Sequence, residues 1–121
     1  MVCSNTKKEK RPKVLFGDTH RIRMHRGKLY MVTNYKDGKL FEIFIYAEKT
    51  GSHLSSIGEA LGRCISTGLR FGIPAEEFVK QLIGIRSSEP VWDNGRQNLS
   101  IPDGIAQVIE DIITKQEEKE S

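Results

Sequence analysis

The 121-residue sequence predicts an α+β fold: a three-stranded antiparallel meander sheet followed by three helices packed on it. Three observations predict it. Between Thr19 and Ala47 the chain is rich in β-branched and aromatic residues and is broken only at Arg26-Gly27 and Asp37-Gly38. After Ser52, three stretches carry apolar residues at three- and four-residue spacing. Gly72, Pro74 and Gly84 stand where helices of that register should stop and start.

The strands are expected over Thr19 to His25, Leu29 to Tyr35 and Leu40 to Ala47. Asp37-Gly38 accepts the positive φ that a type I′ turn needs at both central residues. With that register, Ile22, Met24, Leu29, Met31, Phe44 and Tyr46 share one face, and Tyr30, Val32, Phe41, Ile43 and Ile45 share the other with Arg21 and Arg23. Both faces are then partly apolar. One is left for a helix, a ligand or a second copy, so a homo-oligomer is expected.

The first helix is expected from Leu54 to Phe71, capped by Ser56 with Glu59, or by Ser52 or Ser55. Leu54, Ile57, Leu61, Cys64, Ile65 and Gly68 form its buried stripe, with Cys64 behaving as a small core hydrophobe. Gly58, Gly62 and Gly68 each cost about 1 kcal/mol of helix propensity against Ala, which close packing of the helix would offset. Pro74 opens a second helix, with Phe78, Val79, Leu82 and Ile83 apolar and Gly84 closing it. Residues 85–99 read as the longest loop, with an Asn94-Gly95 turn and the only tryptophan, Trp92, which either plugs the core edge or stacks on a base. The last helix begins at Ser100, where Asp103 completes a capping pattern and Ile101, Ile105, Val108, Ile109, Ile112 and Ile113 form the stripe.

One domain is therefore expected over residues 13–114, with a flexible basic arm at 1–12 and a charged, frayed tail at 115–121. The net charge of +3 conceals a polarity: Lys7 to Lys28 holds nine Lys and Arg against Glu9 and Asp18. Such a stretch either meets phosphate, including nucleic acid, or is a solvated arm. No apolar run spans a membrane and no signal-peptide pattern is present, so the expectation is a cytoplasmic protein without membrane contact. Two cysteines make neither a thiolate metal site nor a disulfide framework, and no metal or cofactor is expected.

Chemistry concentrates between the third strand and the first helix. Lys49, Thr50, Gly51, Ser52, His53, Ser55 and Ser56 combine a cation, a glycine permitting close approach, hydroxyls and the amide end of a helix, which phosphate binding requires, although plain helix capping uses the same residues. Arg63 and Arg70 on the helix, and Arg86, Arg96 and Trp92 in the long loop, complete the candidate ligand set, with Tyr30 as a second stacking surface. No catalytic arrangement can be read from spacing, since His20 and His25 lie five apart on a strand and point to opposite sides.

Arg11-Pro12, Phe41-Glu42-Ile43-Phe44-Ile45, Lys49-Thr50-Gly51-Ser52, Glu59-Ala60-Leu61-Gly62-Arg63, Ser66 to Pro74, Gly84-Ile85-Arg86 and Ser100-Ile101-Pro102-Asp103 together resemble the TSCPD domain, over about residues 11–114. That domain is found at the C-terminal end of cobalamin-dependent ribonucleotide reductases and in stand-alone proteins. Where the family name spells Thr-Ser-Cys-Pro-Asp, this chain has Leu99-Ser100-Ile101-Pro102-Asp103, and Ser87 and Ser88 stand near the place of a second family cysteine. The metal role suspected for those cysteines therefore does not carry over, while the helix-cap chemistry of Ser100 and Asp103 does. Reductase catalysis does not carry over either, for want of the barrel and the redox cysteines. The strand-to-loop-to-helix passage from Lys49 to Ser56 leads to the expectation of a non-catalytic module, ribonucleotide-reductase-related by resemblance, that binds, and so sequesters or senses, a nucleotide-like phosphate-bearing ligand. The alternatives are an interaction module of ribonucleotide reductase, or a nucleic-acid binder acting through the basic N-terminal stretch.

Overall fold

A computed structural model describes residues 7–49 and 53–120. Strands β1 (Phe16–Met24), β2 (Gly27–Lys36) and β3 (Lys39–Ala47) form an antiparallel sheet in the order β1-β2-β3. Helix α1 (His53–Arg70), helix α2 (Ala75–Leu82), the short strands β4 (Val91–Asp93) and β5 (Arg96–Asn98), and helix α3 (Ile101–Glu120) follow. The expected meander and three helices are present. β1 begins three residues before Thr19, because Phe16 to Asp18 find partners in Tyr35 to Thr33.

The β2–β3 turn has Asp37 at φ 53° and Gly38 at φ 79°, as the type I′ reading requires. The β1–β2 turn is centred on His25 and Arg26, with Gly27 already paired to Met24, so the expected turn lies one residue late. The strand-3 face assignment is also corrected. Lys36 pairs with Lys39 and Tyr35 with Leu40, but Asn34 pairs with Glu42, which leaves Phe41 as an extra residue on β3. That bulge exchanges the faces beyond it. Ile43 and Ile45 join Ile22, Met24, Leu29 and Met31 in the core, whereas Phe44 and Tyr46 lie opposite Val32 and Tyr30 on the outer face.

Both α1 and α3 pack against the inner face, and Ile105, Ala106 and Ile109 of α3 are fully buried. α1 also lies along the free edge of β3. A Cβ on Gly58 would stand 2.7 Å from Ile45 Cγ2, and one on Gly62 would touch the Ile45 amide nitrogen at 3.4 Å, so these glycines serve close approach, as expected. Ser66 Oγ accepts from the Ile43 amide at 2.9 Å and donates to the Ile43 carbonyl at 2.7 Å, completing the pairing of an edge residue. α1 ends in a Schellman motif, with Ile73 N bonded to Gly68 O and Gly72 N to Leu69 O, and Gly72 at φ 95°.

Cys64 is exposed and not in the core, because the buried face of α1 runs through Gly58, Gly62 and Ile65 and turns Cys64 outward. Nor is Ser56 the cap. The helix starts at His53, so Ser56 sits in the first turn and donates to the His53 carbonyl, while Glu59 pairs with Arg63. α2 rests chiefly on α3, and its Phe78 fills the space that a side chain at Gly68 would need.

The expected long loop contains the hairpin β4–β5, turned at Asn94 (φ 50°) and Gly95 (φ 84°). It covers the end of β1: Asp93 Oδ2 accepts from the Arg23 amide at 3.0 Å, and Asn98 Nδ2 donates to the Arg23 carbonyl at 3.0 Å. Each strand was too short to show alternation. Trp92 is 65% exposed on this hairpin, which rules out the core-plug reading.

α3 continues to Glu120, five residues past the point where a frayed tail is expected. At the other end, residues 9–11 are held in place and do not behave as a free arm. The Glu9 amide bonds to the Arg70 carbonyl at 2.8 Å, the Arg70 guanidinium donates to the Glu9 carbonyl, and the Glu9 carboxylate pairs with Lys36.

Candidate functional site

Of the expected phosphate cradle, Thr50, Gly51 and Ser52 lie outside the described residues. Lys49 is exposed just after β3, and His53 and Ser56 are exposed in the first turn of α1, with Ser55 half-buried beside them. That turn contains no acidic residue. The partial positive charge of an 18-residue helix therefore meets Lys49 and His53 at one end of the sheet without an internal counter-charge in the turn.

The remaining expected ligand residues are spread over the molecule. Arg63 is ten residues up α1, about 15 Å along its axis from His53, and pairs with Glu59 at 3.5 Å. Arg70 is at the opposite end of α1, where it holds residue 9 and lies 5.6 Å over the Phe41 ring. Arg86 is exposed between α2 and β4. Arg96 forms a two-pronged pair with Asp111 of α3, and Trp92 stands on the neighbouring strand of the hairpin. The structure thus separates Lys49, His53, Ser55 and Ser56 from Arg96 of the hairpin and from Arg70.

Two polar clusters escaped sequence reading. At the bulge, Glu42 has a side chain only 3% exposed and accepts from Arg11 Nε at 2.9 Å, Arg11 Nη2 at 3.0 Å and Asn34 Nδ2 at 2.7 Å. Burial pushes the Glu42 carboxyl up, but the bonds from Arg11 and Asn34 and the charges of Arg11 and Arg70 together hold it below the ordinary value of 4.5. A depressed carboxyl contributes stability that is complete above its unfolded value and is lost as pH falls through the folded one. Stability should therefore decline as pH drops below about 4.5, and Glu42→Gln should flatten that decline; urea midpoints at pH 3, 4, 5 and 7 measure it. An identical acid limb in the variant would contradict the assignment.

The second cluster faces α3. Asp18 accepts from the Thr33 hydroxyl and lies 3.1 Å from His20 Nε2 and 3.2 Å from the Tyr35 hydroxyl. Burial raises the Asp18 carboxyl, but the Thr33 bond, the His20 charge and bond and the Tyr35 bond outweigh it and leave it lowered. Burial pushes the Tyr35 phenol up. Asp18, His20 and Tyr35 line a groove of about 580 Å³ with Asp111, Lys115 and Lys119 of α3. His25 points away from it and pairs with Glu89 at 2.8 Å, so the two histidines are separated as expected. Among the described residues no group of three or more His, Cys, Asp or Glu could hold a metal ion, and no helix is long and apolar enough to cross a membrane.

The Ser100-Ile101-Pro102-Asp103 motif builds a junction. Ser100 Oγ accepts from the Asp103 amide at 3.2 Å, capping α3, and donates to the Ile85 carbonyl at 2.6 Å. Asp103 is 3% exposed; Oδ1 accepts from the Gly84 amide at 2.7 Å, and Oδ2 from the Leu99 amide at 2.9 Å and from Gln107 Nε2 at 2.7 Å.

Comparison with known proteins agrees with these motifs. The chain is 37% identical over 73 residues to a vitamin B12-dependent ribonucleotide reductase of Bradyrhizobium diazoefficiens, a match covering 60% of this chain and 6% of that one. The vitamin B12-dependent ribonucleotide reductase of Agrobacterium fabrum is 34% identical over 74 residues, with the same coverage. That of Rhodopirellula baltica is 28% identical over 105 residues, covering 85% of this chain and 10% of that one. The chain thus spans no more than about a tenth of the length of these relatives. No solved structure matches. The family model of the TSCPD domain matches residues 5–113, and the chain belongs to that family.

Proposed function

We propose that this chain is a non-catalytic, ribonucleotide-reductase-related module that binds a nucleotide-like, phosphate-bearing ligand at the N-terminal end of α1, and so sequesters or senses it. The observation that supports this reading is the acid-free first turn of α1, in which His53 and Ser56 are exposed, with the exposed Lys49 four residues before His53 in the sequence. Tyr30 lies at the same end of the sheet, two residues along β2 from Lys28, whose carbonyl accepts from the Glu48 amide. Its ring belongs to the outer face of the sheet, whereas α1 packs on the inner face, and Trp92 belongs to the hairpin on the opposite edge, so neither stacking candidate adjoins this site. A thermal-shift series with nucleoside mono-, di- and triphosphates and cyclic nucleotides tests it. A ligand at one hundred times its Kd adds about 2.7 kcal/mol, a rise on the order of 10 °C for a domain of this size. Lys49→Ala and His53→Ala should abolish the rise. No shift with any of these compounds at millimolar concentration refutes the reading.

A second reading, an accessory module that docks on a ribonucleotide reductase, is favoured by the similarity to segments within much longer reductase chains. Co-sedimentation with a vitamin B12-dependent reductase tests it, and separate sedimentation at micromolar concentrations of both proteins counts against it.

A further inference from the structure

Among the described residues no helix covers the outer face of the sheet. Its residues lie in rows set by the strand register: Arg21, Tyr30 and Tyr46 in one, Thr19, Val32 and Phe44 in the next, and Arg23 with Lys28 at the end. Tyr30 and Tyr46 are stacked, with centroids 5.5 Å apart and planes at 21°. Phe44 is 52% and Tyr46 48% exposed, so about half of each ring remains available. Two residues along a strand are about 6.6 Å apart, which leaves the Phe44 ring and the tyrosine pair as separate neighbouring platforms.

Charge decides what such a face receives. Among the described residues Arg21, Arg23 and Lys28 form no ion pair with a carboxylate. Glu42, at the far end of the same face, is taken up by Arg11 and Asn34, while Asp93, bonded to the Arg23 and Asn98 nitrogens, and Glu48 beside Lys28 are the acids near the three cations. A second copy seated face to face would bring these cations no free carboxylate from the strand residues of its own outer face, because Glu42 is already held by Arg11 and Asn34. A polyanion with flat apolar rings matches both the charge and the platforms.

We infer that the outer sheet face binds single-stranded nucleic acid, with bases stacked on Phe44 and on the Tyr30–Tyr46 pair and phosphates held by Arg21, Arg23 and Lys28. This inference does not rest on the α1 site. It differs from binding by the basic N-terminal arm in requiring aromatic residues, and Arg11 of that arm is committed to Glu42.

Fluorescence anisotropy of labelled 12-nucleotide single-stranded DNA, single-stranded RNA and duplex DNA, titrated with the intact chain, tests it. Single strands should saturate the protein and the duplex should bind more weakly, because its bases are not free to stack. Three phosphate contacts predict a slope of log K on log salt of about −2, a loss of about 15- to 20-fold between 50 and 200 mM salt. Phe44→Ala and Tyr46→Ala should each weaken binding about 5- to 100-fold, Tyr46→Phe should restore it, and Arg21→Ala should reduce the salt slope. Lys49→Ala should leave it unchanged, which separates this face from the α1 site. Arg21 is an exposed side chain, so its variant keeps the test decisive should an aromatic variant misfold. The inference is overturned by the absence of saturable binding at 50 mM salt with 100 µM protein. It is equally overturned by full binding in both aromatic variants, or by a dimer that Phe44→Glu dissociates and single strands do not displace.

Discussion

Asp103→Ala should be among the most destabilising single substitutions in this chain. It strands the Gly84 and Leu99 amides, two donors that the carboxylate satisfies at 2.7 and 2.9 Å, and it removes one of the two bonds of Gln107 Nε2, which keeps that to the Gln97 carbonyl. Gln107 Oε1 already lacks a partner, so that side chain has little to gain by turning. Each unpaired buried donor costs about 1–3 kcal/mol, so the two backbone amides alone predict a loss of roughly 2–6 kcal/mol. A domain of this length is expected to hold about 6–18 kcal/mol in all. Urea unfolding should show the midpoint falling by 1 M or more, since the slope is about 1–3 kcal/mol per molar. An unchanged midpoint would mean that the junction between α2, the hairpin and α3 is held by something else. Asp103→Asn, which preserves one acceptor, should recover part of the loss.

Ile105→Ala should remove a comparable amount by a different route. Ile105 has no accessible surface and sits on α3 beside Gly104, where a Cβ would stand 2.6 Å from the Met24 side chain and 3.0 Å from Ile22. The helix and sheet are already as close as the glycine allows, so the walls of the new cavity have little freedom to collapse. A loss of about 2–5 kcal/mol follows. Ile105→Val should cost about 0.5–1.5 kcal/mol, and the pair of variants separates cavity formation from any effect on the helix itself. Equal midpoints for Ile105→Ala and the parent would contradict the burial.

Element type and order were legible because period, turn chemistry and punctuation agreed. Asp37-Gly38 and Asn94-Gly95 both turn with positive φ, and Gly72 closes α1 as its position suggests. The face of β3 was not legible, since a register carried forward from the Asp37-Gly38 turn cannot show where an extra residue enters the ladder. Phe41 is that residue, and it is held between Lys36 and Arg70, the latter 29 positions away in the sequence. Cys64 misled for a related reason. Three- and four-residue spacings fit two adjacent stripes of a helix, and only the contacts of Gly58 and Gly62 with β3 choose between them. The basic arm looked unstructured because Glu9 and Arg11 find their partners 27 or more residues further on, a distance that local pattern cannot register. The candidate arginines were not assignable to one place, because charge along a sequence says nothing about which end of a helix it reaches.

Side chains occupy one position on each edge of the sheet. Ser66 bonds both backbone polar groups of Ile43, and Asp93 with Asn98 does the same for Arg23. Unpaired strand edges are what allow one chain to recruit another into a growing ladder. When copies of this domain are crowded together, on one scaffold or around one ligand, a ladder passing through either position must first displace the side chains that hold it.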